Sequence, residues 1–194
     1  MNILWITNMP FGYHNVMLHQ ESSPVISGSW LYAAYEGAKQ DINTTLHIVT
    51  VSNVSKRIDG EHEGNYFHIL PGGVMGNYDM FSKDNIESWQ MLRNDISPDI
   101  VVLWGAEAKF SYTAAKVFSD LPLLVFVQGV LKSIVSHYND GVPHRYICTT
   151  IRDYINKVLR IGAEYIYQKQ LPFEVEIYNM ASGAIVENDW CEYQ

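Results

Sequence analysis

The stretch Leu121-Pro122-Leu123-Leu124-Val125-Phe126-Val127-Gln128-Gly129 decides the fold. From Leu123 to Val127 the residues are apolar without interruption, bracketed by Pro122 on one side and Gln128-Gly129 on the other. A strand covered on both faces of a parallel sheet requires a continuous apolar run rather than an alternating one. Gln128 then marks the carboxyl end of the strand, and Gly129 lets the backbone turn sharply or approach a ligand closely. In open α/β sheets that edge is where ligands bind.

The same pattern recurs along the chain. Ile3 to Thr7, Leu46 to Val51 and Ile100 to Trp104 read as further buried strands, the last ending at Gly105-Ala106-Glu107. Between them the apolar period changes to that of helices. Leu31, Ala34, Tyr35 and Ala38 fall at i, i+3, i+4 and i+7 after Gly28-Ser29, and Ala108, Tyr112 and Ala115 mark a helix leading to Leu123. A helix from about Asp84, with Glu87 as capping-box partner, carries Ile86, Trp89 and Ile96 on one face until Ser97-Pro98-Asp99 breaks it. Ile58 to Leu70 reads as a hairpin with its turn at Asp59-Gly60, and Asn8 to Ser27 as a long loop. A short helix is expected over Val130 to Tyr138, and helical spacing resumes from Ile147 to Val158. Pro172 either opens a further helix or kinks a longer one, with Phe173, Ile177 and Met180 on its apolar face and Gly183 as C-cap. Ala184 to Val186 is a last short strand. Strands alternating with helices give an α/β fold: a Rossmann-like, doubly wound, mostly parallel sheet with helices on both faces. The three-glycine dinucleotide fingerprint does not follow the first strand.

Composition bounds the function. At 194 residues the chain can bury about 70% of its unfolded surface. Its 47% hydrophobic and 18% charged residues are those of a globular protein. Thirteen Lys and Arg against 21 Asp and Glu give a net charge of −8, which argues against nucleic acid as a partner. Cys148 and Cys191 are too few and too far apart for a zinc knuckle or a disulfide framework. No histidine pair has metal-ligand spacing, and His14, His19, His47, His62, His68 and His144 read as ordinary loop, strand and surface residues. The amino terminus lacks the basic flank and apolar core of a signal peptide, and no apolar run reaches the ~20 residues of a membrane span. A cytoplasmic protein is expected.

The ordered set Asn2-Ile3-Leu4-Trp5-Ile6, Gly28-Ser29-Trp30-Leu31, Pro98-Asp99-Ile100-Val101, Trp104-Gly105-Ala106-Glu107, Val127-Gln128-Gly129, His137-Tyr138, Gly141-Val142-Pro143, Ile151-Arg152-Asp153 and Asn188-Asp189-Trp190 carries a resemblance. It resembles the amino-terminal half of GT-B glycosyltransferases of the family-4 type, close to a bacterial branch that builds surface polysaccharides. The resemblance implies two Rossmann-like domains facing a cleft. The amino-terminal one holds a glycan or lipid-linked acceptor, and the carboxyl-terminal one grips the nucleotide-sugar donor. Transfer would retain anomeric configuration, with no cofactor and no bound metal. Residues 1–194 are then a single acceptor-side domain. Asp189 and Glu192 open a helix that stops at Gln194, so the donor-binding domain is expected beyond this sequence and the chain alone is expected to be inactive.

Four residues are candidates for acceptor binding: Glu107 and Gln128 at strand ends, and His137 and Tyr138 in the segment that follows. The alternative readings are a first-turn carboxylate complementing the next helix for Glu107 and a core residue for Tyr138. Gly28 and Ser29 form the loop that would face the donor phosphates, where the family usually has two glycines. Many relatives carry histidine at the position of Gln128. An amide orients groups by hydrogen bonds but does not shuttle protons, so no catalytic residue is assigned. Peripheral membrane contact is expected at the inner face. Two other readings stay open: a stand-alone Rossmann-like binding module, and another nucleotide-sugar enzyme such as an epimerase.

Overall fold

A computed structural model describes residues 1–19, 29–72, 78–143, 146–147 and 149–186. Its sheet contains strands β1 (Asn2–Thr7), β2 (Thr45–Ser52), β3 (Ile58–His62), β4 (Asn65–Pro71), β5 (Ile100–Trp104), β6 (Leu123–Val127) and β7 (Gly183–Val186). They lie in the order β3-β4-β2-β1-β5-β6-β7. All pairings are parallel except that of β3 with β4, the antiparallel edge. The chain therefore winds outward from β1 in one direction through β2, and in the other through β5. The crevice between β1 and β5 is the switch point of a doubly wound sheet, so the expected fold class is the observed one.

The helices are α1 (Tyr13–His19), α2 (Ser29–Ala38), α3 (Lys83–Ile96), α4 (Lys109–Val117), α5 (Leu131–Ser136), α6 (Ile151–Leu159) and α7 (Ala163–Met180). Two cores cover the two faces of the sheet. On one, Trp89, Leu92 and Ile96 of α3, Phe110 of α4 and Ile177 of α7 pack on Leu4, Ile6, Leu103 and Val125. On the other, Leu31 and Tyr35 of α2 join Phe11 against Trp5, Ile48, Phe67 and Trp104. Side chains on the first face alternate with those on the second, as the two-residue period of a strand dictates. The second layer ends before β6, whose Leu124 and Phe126 are only half-buried while Leu123, Val125 and Val127 are buried. Burial on both faces thus holds for β5 and fades at β6.

Several local expectations are corrected. The segment after β1 is not a structureless loop, because α1 forms within it and sets His14 in the core. The hairpin turns at Glu63-Gly64, both at positive φ, and Asp59-Gly60 lies inside β3. Gly60 is placed there by crowding: a Cβ would meet the Tyr13 ring at 2.9 Å. Helix α3 has Ser82 at its N-cap with no side-chain capping bond, so no capping box forms. Pro172 lies within α7, whose C-cap is Ala181 rather than Gly183. His47, His68 and Asp59 form a hydrogen-bonded chain across β2, β4 and β3, with contacts of 3.1 and 2.7 Å. The helix expected from Asp189 lies outside the described residues.

Candidate functional site

Three strand ends converge at the switch point. Asn8 directly follows β1, Glu107 lies just past β5, and Gln128 directly follows β6. One carboxamide ties them together: Asn8 Nδ2 donates to Glu107 Oε1 at 2.8 Å and to Gln128 Oε1 at 2.8 Å. Each of the three side chains has one further polar atom outside that pattern. Asn8 Oδ1, Glu107 Oε2 and Gln128 Nε2 are buried without a protein partner. Two acceptors and one donor left unpaired are costly, since an unpaired buried polar group costs about 1–3 kcal/mol.

Backbone geometry holds Glu107 in position. Gly105 has φ 91°, in the left-handed region where a side chain is strained, and a Cβ there would sit 2.6 Å from both Glu107 carboxylate oxygens. Burial raises the Glu107 carboxyl above its ordinary range, opposed by its own backbone amide and by Asn8. A second carboxylate stands behind it. Glu174 of α7 is 2% exposed and accepts from the Leu131 amide with both oxygens, at 3.0 and 3.1 Å. Desolvation first, and the charge of Glu107 after, push the Glu174 carboxyl up to about 7, against the Leu131 and Lys132 amides. Glu174 thereby fixes the start of α5, which forms one wall of the site.

A cavity of about 420 Å³ reaches two members of this triad, Glu107 and Gln128, and is lined besides by Trp30, Gly129, Ile134 and Tyr167. Trp30 is 38% exposed and its ring lies 6.0 Å from that of Trp104, which stacks on Phe126 at 4.4 Å. An apolar ring held firmly beside unpaired hydroxyl-binding groups suits a ligand with one polar edge and one C–H face.

Of the sequence candidates, the structure brings Glu107 and Gln128 together and does not bring His137 to them. His137 caps the carboxyl end of α5, where its Nδ1 lies 3.0 Å from Ser133 O and 2.8 Å from Ser136 Oγ. Tyr138 is exposed and is not among the residues that line the cavity, though its ring lies 6.2 Å from that of Tyr167, which is. Gly28 lies outside the described residues, and Ser29 opens α2. Sequence reasoning missed Asn8, Trp30, Tyr167 and Glu174. The signal for Asn8 was present: it is the first polar residue after a buried strand, as Gln128 is. Glu174 also left a trace, being a carboxylate on the apolar stripe of Phe173 and Ile177.

No model of a known protein family matches the chain, and no curated protein sequence matches it. Among solved structures, a sucrose-phosphate synthase from Thermosynechococcus elongatus superimposes with a TM-score of 0.57 at 12% identity. The match covers 100% of this chain and 44% of that one, so the chain spans less than half of that glycosyltransferase. What the two share is the fold. The Rossmann-like α/β architecture is thus one that a GT-B glycosyltransferase uses.

Proposed function

We propose that this is the acceptor-side domain of a retaining glycosyltransferase of the family-4 type. The enzyme would move a sugar from a nucleotide-sugar donor to a glycan or lipid-linked acceptor, in surface polysaccharide synthesis at the inner face of the membrane. The observation that carries the reading is the triad at the switch point. A vicinal diol has the complementary groups: two O–H donors for Glu107 Oε2 and Asn8 Oδ1, and an oxygen that can accept from Gln128 Nε2. The C–H face of the sugar ring then lies toward Trp30. Retention and the location of the donor on a second domain follow from the family resemblance, and the sequence has no His, Asp or Glu cluster with metal-ligand spacing to suggest a bound metal. Coverage of 44% of a glycosyltransferase structure supports a larger whole.

The test is an NMR titration of the chain with methyl glycosides of glucose, galactose and mannose, reading the side-chain NH₂ signals of Asn8 and Gln128. At least one glycoside is expected to shift both signals. Glu107→Gln is expected to weaken that binding by about ten- to a hundredfold, the loss of one hydrogen bond to a charged group. Signals that stay fixed with all three sugars would refute the acceptor reading.

A further inference from the structure

Helix α6 turns its polar side toward the domain. Ile151, Tyr154, Ile155, Val158 and Leu159 share one arc of the helix, and all five are between 47% and 81% exposed. Asp153, Asn156 and Lys157 lie on the other side, where they line a cavity of about 360 Å³ with Tyr138, Asn139 and Tyr165. No residue of α6 is buried, so this polar side supplies no core. The helix is nonetheless firmly built. Thr150 Oγ1 accepts from the Asp153 amide at 3.1 Å while Asp153 Oδ2 accepts from the Thr150 amide at 2.9 Å, a complete capping box.

The lining of this cavity selects a class of ligand. Asn139 and Asn156 each present two N–H donors and an acceptor oxygen, and among the described residues neither side chain has a hydrogen-bond partner. Tyr138 and Tyr165 supply aromatic rings beside them. Two carboxylates, Asp153 and Glu164, stand against one ammonium, Lys157, so the cavity does not gather anions. Amides that match hydroxyls, set beside aromatic rings without excess positive charge, suit a neutral sugar.

The two sugar-like cavities adjoin. Tyr138 lines the one beneath α6, Tyr167 lines the one at the strand ends, and their rings lie 6.2 Å apart. Helix α7 carries both Tyr165 and Tyr167, so one rigid element walls both cavities. Tyr138 is 43% exposed, which leaves its ring open to a ligand running from one cavity to the other. Each cavity by itself is near the lower end of the range for small-molecule sites, about 300–1,000 Å³. We propose that the cavity beneath α6 is a second sugar subsite, and that the ligand of this face is a neutral oligosaccharide: its terminal unit sits at Glu107 and Gln128, and the unit before it sits among Tyr138, Asn139 and Asn156. The inference rests on the reading of the strand-end cavity as an acceptor site.

The test is an NMR titration of the 194-residue chain with methyl glucoside, galactoside and mannoside, and with maltose, cellobiose, lactose and mannobiose. It reads the side-chain NH₂ signals of Asn8 and Gln128 at the strand ends, and of Asn139 and Asn156 beneath α6. The single sugars are expected to move only the first pair. At least one disaccharide is expected to move both pairs and to bind about tenfold more tightly than its single sugar. Asn156→Ala, at a half-buried helical position where alanine is well tolerated, is expected to cancel that gain and leave the single-sugar constant as it was. Tyr138→Ala is expected to cost the disaccharide about fivefold, and Tyr138→Phe to restore most of it, because the ring face is what stacks. Disaccharides that bind no more tightly than single sugars and leave Asn139 and Asn156 unmoved would overturn the inference while the acceptor reading stands. So would a gain that survives Asn156→Ala undiminished. If no sugar of either size moves Asn8 or Gln128, the acceptor reading itself fails and the inference falls with it.

Discussion

Gly105 shows how little room a functional carboxylate has. Replacing it with alanine imposes a positive φ of 91° on a side chain and drives a Cβ into the Glu107 carboxylate. Gly105→Ala is therefore expected to cost about 1–3 kcal/mol in denaturant unfolding and to weaken glycoside binding together with it. A variant with parental stability and binding would show that Glu107 has space to move. His14 is the counterpart in the core. Its Nε2 lies 3.1 Å from Ile48 O, and its Nδ1 accepts the Phe11 amide at 3.5 Å, so the neutral ring is the one that fits. Burial lowers its pKa from 6.5 to about 4, with the Ile48 carbonyl opposing. A depressed folded pKa contributes stability that is present above 6.5 and lost as the pH falls toward 4. The ring protons of His14 are expected to titrate near 4 by NMR; a midpoint near 6.5 would mean that α1 opens readily.

At the scale of elements, α5 and α7 are joined by Glu174, and the sign of its linkage is the opposite. With its carboxyl raised from 4.5 to about 7, the protonated form stabilises the fold below 4.5, and that stability is lost as the pH rises toward 7. The full loss is about 3 kcal/mol, at 1.36 kcal/mol per pKa unit. Glu174→Gln keeps a carbonyl oxygen for the Leu131 amide and removes the charge. The melting temperature of this variant relative to the parent is expected to rise as the pH goes from 4.5 to 7, because the His14 contribution is common to both and only the Glu174 contribution is removed. Glu174→Ala removes the acceptor as well, leaves the Leu131 amide unpaired and is expected to destabilise at every pH. Pro172 has no N–H to give to the turn before it, yet α7 runs on to Met180. Packing of Phe173 against Tyr112 at 4.9 Å and Phe81 at 5.7 Å holds the helix together across that gap.

For the molecule as a whole, the described lining of the strand-end cavity disfavours a diphosphate there. The cavity there is lined by a carboxylate, an amide, aromatic rings and aliphatic side chains, with neither Lys nor Arg among the lining residues. A nucleotide-sugar there would bring negative charge toward Glu107, with no Lys or Arg among the described lining residues to receive it. Calorimetric titration of UDP- and GDP-sugars into the chain is expected to show no binding tighter than roughly millimolar, about −4 kcal/mol. A micromolar constant would place a donor site on this domain and overturn the division of labour proposed for it.

The strands were legible in the sequence because burial leaves a direct mark: Ile100 to Trp104 and Leu123 to Val127 are continuous apolar runs, and both have the boundaries of β5 and β6. The periodicity of Leu31 and Tyr35 gave α2 for the same reason. The adjacency of β5 and β6 followed from a single connecting helix, and with it the meeting of Glu107 and Gln128. Where apolar residues are sparse the mark is weak, so α1 was hidden in a polar loop and the hairpin turn was placed on the wrong glycine. Asn8 and Gln128 are 120 residues apart, and no local pattern records that one amide joins them. Nor does the period of α6 say which way its apolar arc points. Periodicity reports which residues share a face. Which face meets water, and which polar atoms are left unpaired, are decided only when distant strands and helices pack.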